Sequence, residues 1–122
     1  MYKVWFYVTR RGDYPVKELV EKLDKRSRAK IWRYIALLEE KGPRLTRPYA
    51  AYVGGKLREL RIRIRHGSIR IFYFFCAGNN IILLNAFKKN SARLPVKEIE
   101  KAKIYKNDFE ERYSNGEISI EE

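Results

Sequence analysis

The apolar positions of this 122-residue chain change their period several times, and each change marks a new element. Tyr2 to Val8 is aromatic and β-branched, a composition that fits a pleated surface, so a first strand is expected there. Pro15 suits a first helical turn, where its missing N–H costs nothing. Val16, Leu19, Val20 and Leu23 follow at helical spacing, which predicts a short helix to about Leu23. From about Arg26 a second helix carries Ile31, Tyr34, Ile35 and Leu38 at i, i+3, i+4 and i+7, and Gly42-Pro43 stops it. Residues 43–56 hold two prolines, a Gly54-Gly55 pair and no lasting period, so they read as a loop. The next segment, LRELRIRIR, alternates: Leu60, Ile62 and Ile64 point one way while Glu59, Arg61, Arg63 and Arg65 point the other. His66-Gly67 turns the chain into a strand from Ile69 to Cys76. Gly78-Asn79-Asn80 turns it again into a strand from Ile81 to Lys88. Pro95 opens a last helix with Ile99, Ala102, Tyr105 and Phe109 along one side.

The expected architecture is therefore α+β in the order βααβββα, one domain over residues 1–122 with no repeat and no internal boundary. The two N-terminal helices should cover the sheet face of Leu60, Ile62 and Ile64, leaving the arginine face open. Alternation on the next strand puts Arg70, Phe72 and Phe74 on one side and Ile69, Ile71, Tyr73 and Phe75 on the other, so Arg70 is expected beside Arg61 and Arg63. Lys88 and Lys89 end the last strand, and one of them must join that face.

Charge turns this pattern into chemistry. There are 27 Lys and Arg against 15 Asp and Glu, a formal net charge of +12, which stores self-repulsion and points to a polyanionic partner. The acids are unevenly placed: residues 107–122 hold six of them against the single base Arg112, and residues 114–122 read as a solvated, frayed tail. Guanidinium groups crowded on adjacent strands imply an anion site, because their planar forks pair with phosphate and neighbouring rings offer stacking surfaces for bases. The alternative is that they only solvate an exposed sheet face and that one of them pairs with Glu59.

Other signals exclude more than they add. One cysteine, Cys76, rules out an internal disulfide framework and a cysteine zinc cluster, and it fits a reducing compartment, so the cytoplasm is the expected location. No stretch approaches transmembrane length and the N-terminal apolar run is short for a signal peptide, so no membrane partner is expected. Gly54-Gly55-Lys56 lacks the spacing of a phosphate-binding loop. His66 is the only histidine, which excludes paired-histidine nucleases and two-histidine metal sites while leaving a lone acid-base role open.

Five segments, YPVKELVEKL, KLRELRIRI, SIRIFYFF, IILLNAFKKNSARLP and EIEKA, in this order and spacing, make the chain resemble the RelE/HigB-like toxins of type II toxin–antitoxin pairs, in particular their phage-derived branch. The resemblance covers about Tyr2 to Tyr113. It implies a small twisted antiparallel sheet with two N-terminal helices on one face. It also implies an endoribonuclease that cuts mRNA, usually on the ribosome, without metal or cofactor, by attack of a ribose 2′-OH on the adjacent phosphate. A cognate antitoxin, often carrying a helix-turn-helix, would mask it. Carried over by position, Arg70 would hold the scissile phosphate, Arg61 and Arg63 match the preceding basic strand, and Lys88 and Lys89 match the FKK end. Lys56 and Arg58, at the start of that basic strand, join the RNA-binding set. Family members often place a histidine or tyrosine near the end of the last strand, where this chain has Asn85 and Phe87. The general acid and base are therefore unassigned, with Tyr73, His66 and Lys88 as candidates. A rival reading is a non-catalytic nucleic-acid-binding module or a degenerate toxin kept for regulation. A third is a basic protein that docks only on an acidic protein.

Overall fold

A computed structural model describes residues 1–120 as a mixed α+β fold with a five-stranded sheet and three helices. The elements are β1 (Lys3–Phe6), α1 (Pro15–Glu21), α2 (Lys25–Lys41), a 3-10 turn (Gly42–Arg44), β2 (Ala50–Gly54), β3 (Leu57–Ile64), β4 (Gly67–Cys76), β5 (Asn80–Lys89) and α3 (Val96–Ser114). Strand order is β1-β5-β4-β3-β2, antiparallel except for β1, which runs parallel to β5.

The elements expected from periodicity are present, with one addition. Within the segment read as a loop, residues 50–54 form β2, an edge strand paired Ala50 to Leu60 and Tyr52 to Arg58. Two small alanines give no alternating signal, and both prolines of that segment lie upstream, where they do not interrupt the ladder. The first helix stops at Glu21 rather than Leu23, and the second begins at Lys25. Asp24 caps it, accepting from the Ser27 backbone N–H at 3.1 Å and from the Ser27 hydroxyl at 2.7 Å.

At the other end of α2, Gly42 has φ +55°, and a side chain there would run into the Tyr2 ring. Gly42→Ala is thus expected to destabilise the protein by about 2 kcal/mol, lowering Tm by about 5–10 °C in a thermal melt. An unchanged melt would mean that Tyr2 and the helix end rearrange freely.

Two apolar clusters sandwich the sheet. Val16, Val20, Ile31, Ile35 and Leu38 of the first two helices pack with Leu60, Ile62, Ile69, Ile71, Ile81 and Leu83. On the other face Ala102 and Phe109 of α3 pack with Phe72, Phe74, Ile82 and Leu84. The arginine face is therefore only half open, contrary to the sequence expectation. Its β4 and β5 residues are apolar at one end and draw α3 onto them, while the end carrying Arg61, Arg63 and Arg70 stays uncovered.

The frayed-tail reading also needs correction. Ile118 and Ile120 lie against the second cluster, and Glu117 accepts from Arg10 at 3.3 Å, so the acidic end is folded back as far as residue 120; Glu121 and Glu122 lie outside the described residues.

Asp108 anchors this end of α3. It accepts from the Tyr7 hydroxyl and from Arg10 Nε at 2.9 Å, and Arg112 lies 3.3 Å away. Burial pushes its carboxyl up, but those hydrogen bonds and the nearby guanidinium outweigh it and hold it below the usual carboxylate range. A depressed folded pKa contributes stability that is fully present above the unfolded value and is lost as pH falls through the folded one. Asp108→Asn should therefore be less stable than wild type at neutral pH, with the gap closing once the pH is brought below about 3.8. Parallel urea titrations across that range would show it, and a gap independent of pH would refute it.

Candidate nucleic-acid interface

β3 and β4 meet so that Arg61 stands directly opposite Arg70 and Arg63 opposite Ser68. Two like charges facing each other across a ladder repel, and the fold offsets this with one carboxylate. Glu59 shares the face of Arg61 two residues upstream, and its Oε1 accepts from Arg61 Nε and from Arg70 Nη1, both at 2.7 Å. Glu59 is buried, with 6% of its side chain exposed, against 17% for Arg70 and 31% for Arg61. Ser68 Oγ accepts from Arg70 Nε at 3.1 Å. The remaining terminal nitrogens of Arg61 and Arg70 have no protein partner among the described residues and stay available to a ligand.

These arginines line a hollow of about 930 Å³ at the uncovered end of the sheet. Its walls hold seven cationic side chains, Lys30, Arg47, Arg61, Arg63, Arg65, Arg70 and Lys89, and no carboxylate. Lys30 reaches across from α2 and donates to the Arg63 carbonyl at 2.6 Å, and Lys89 donates to the carbonyl of Arg93. Tyr34 and Tyr49 form one rim, edge to face with ring centres 5.7 Å apart, and Tyr49 is exposed.

A β-bulge decides which terminal lysine enters. Phe72 pairs with Asn85 but Tyr73 pairs with Leu83, so Leu84 is an extra residue in β5. Leu84 stays on the α3 face with Ile82, and the count then shifts: Asn85, Phe87 and Lys89 lie on the Arg70 face while Lys88 pairs with Ile69 on the opposite one.

The residues singled out from sequence divide accordingly. Arg61, Arg63, Arg70 and Lys89 come together in the hollow. Lys88 and His66 line a second cleft on the helix side of the sheet edge, away from Arg70. Tyr73 is fully buried in the first core cluster, opposite Arg58 in the ladder. Burial pushes its phenol up to about 12, against a smaller downward pull from Arg58. Tyr73 therefore leaves the set of acid-base candidates, because alternation sends it inward with Ile69 and Ile71. Arg58 shares its face and lies over the Phe75 ring at 5.8 Å, and Lys56 sits in the β2–β3 turn, at the end of β3 remote from the hollow. Arg65 joins them as the alternation of β3 places it and Lys30 comes from the basic side of α2, whereas Arg47 and the two tyrosines of the rim are additions that no local pattern marks. Glu59 pairs with two of these arginines rather than the one expected, and its second guanidinium partner follows from strand register.

Among the described residues no three of His, Cys, Asp and Glu gather as metal ligands, and no helix is long and apolar enough to cross a membrane. Residues 18–107 match the model of the family described as phage derived protein Gp49-like (DUF891). The chain belongs to this family. It is a family of RelE/HigB-like toxins, and the match spans the Gp49-like chain from α1 into α3, including every strand of the hollow. No curated protein matches the chain. The Gp49-like chain thus gathers seven cationic side chains around the place where β3 ends, β4 begins and β5 ends.

Proposed function

We propose that this Gp49-like protein is the toxin of a type II toxin–antitoxin pair and an endoribonuclease that cuts mRNA, engaged on the ribosome. The observation that carries the reading is the hollow itself, in which seven cations face a space with no lining carboxylate while Glu59 fixes the two central guanidiniums from behind. A phosphodiester of a single strand fits this chemistry. Arg61 and Arg70 would take its two non-bridging oxygens, Lys89 and Arg63 the neighbouring phosphates, and Tyr49 a base.

The reaction is attack of the ribose 2′-oxygen on the adjacent phosphorus with departure of the 5′-oxygen, giving a 2′,3′-cyclic phosphate and a free 5′-hydroxyl. The proton lost from the 2′-OH is matched by one gained at the 5′-oxygen. Negative charge on the phosphoryl oxygens grows in the transition state, and preset guanidiniums stabilise it more than they stabilise the ground state. Glu59 acts as a positioning residue: it holds both forks in place, so little reorganisation is needed when the phosphate arrives. Two guanidiniums from adjacent strands thereby converge on one phosphate.

The same charge suggests the inhibitor, an antitoxin whose acidic segment occupies the hollow, with a helix-turn-helix for its operator. The test is induction of the protein in cells followed by primer extension on cellular mRNA. Discrete new 5′ ends bearing hydroxyl groups support the reading. Growth arrest with intact transcripts, or RNA binding without cleavage, would favour a non-catalytic binding module instead.

A further inference from the structure

The hollow does not end at the sheet edge. β2 covers β3 only as far as the pair Ala50 to Leu60, with one further bond from the Arg61 N–H to the Tyr49 carbonyl at 2.8 Å, so the last residues of β3 form an uncovered edge. Across that edge lies a second cleft of about 990 Å³, which shares Lys30, Arg63, Ile64 and Arg65 with the first. Beyond the shared residues it adds Arg26 from α2, Lys88 from β5 and His66 from the β3–β4 turn. Its one carboxylate, Asp24, is already taken up in capping α2 through Ser27. The two spaces are thus halves of one positive groove folded over the edge of β3.

We infer that the second cleft is a phosphate-binding subsite for the same RNA strand, taking the backbone that continues past the hollow. This rests on the reading of the hollow as the cleavage site. A single strand follows a continuous basic groove because each phosphate it adds releases counterions, and the gain does not depend on base sequence. Here Arg26 and Lys88, both exposed, meet the flanking phosphates, and Arg63 and Arg65 stand where the strand crosses the edge. Lys88 and His66 are binding groups in this arrangement rather than acid-base catalysts.

Fluorescence anisotropy on the full chain tests this, using 2′-O-methyl RNA, which lacks the nucleophile and cannot be cut. Two lengths are needed, about 4 nucleotides for the hollow alone and about 12 for both spaces. For the double variant Arg26→Ala/Lys88→Ala, the slope of log affinity against log salt for the long strand should become shallower by about 1.4, with the short strand bound as in wild type. A wild-type slope with the long strand would overturn the subsite, and so would an equal loss of both lengths, which would show that the cleft does not act separately. The hollow has its own control: if Arg70→Ala leaves short-strand binding unchanged, the cleavage-site reading fails and takes the subsite with it.

Discussion

Arg70→Ala is expected to abolish growth arrest on induction and to slow RNA cleavage by about 10²–10³-fold, the loss typical when one preset donor to a developing oxyanion is removed. Arg70 is the guanidinium that Glu59 and Ser68 both hold, and its uncommitted nitrogen is turned to the hollow. Arg70 also meets the phosphate in the ground state, so KM should rise as kcat falls, with the larger change in kcat. Arg70→Lys keeps the charge but loses the fork, so it should recover only a small part of the rate. Single-turnover cleavage of a short RNA, with circular dichroism to confirm folding, separates these outcomes. A folded Arg70→Ala variant with full toxicity would refute the assignment of the site.

Glu59→Gln should have the second largest effect, on stability and activity together. The carboxylate offsets the repulsion between Arg61 and Arg70, which face each other across the ladder, and it is buried at 5% exposure. Removing its charge while keeping its shape leaves two guanidiniums apposed, at an expected cost of about 2–3 kcal/mol, moderated because both arginines are partly open to water. The deficit should shrink on adding inorganic phosphate or RNA, since an anion in the hollow replaces the missing charge. Thermal melts with and without phosphate check this. A variant as stable as wild type in both conditions would show that Glu59 is a bystander.

Much of this was legible in the sequence because LRELRIRIR alternates so cleanly. That pattern gave β3, its two faces and, with the strand that follows, the pairing of Arg61 with Arg70. Three features were hidden, each for a physical reason. β2 is short and begins with two alanines, so its existence depends on the neighbour it pairs with rather than on any period of its own. The cover over half of the arginine face follows from Phe72, Phe74, Ile82 and Leu84 being apolar together on strands whose register is a tertiary fact. The rim of Tyr34, Tyr49 and Arg47 assembles residues from a helix and a loop that share no local signal.

The extra residue at Leu84 has a practical corollary for anyone who aligns or redesigns this strand. Counting outward from Ile82 two at a time nominates Lys88 as the lysine of the Arg70 face, whereas the pleat, having skipped a beat, presents Lys89. Losing the bulge at unchanged chain length, so that Leu84 takes up the pairing of Asn85, would exchange the two ammonium groups between the surfaces of the sheet without altering composition or net charge. A variant rearranged in this way would look intact in every bulk property and still lack the ammonium group that lines the hollow.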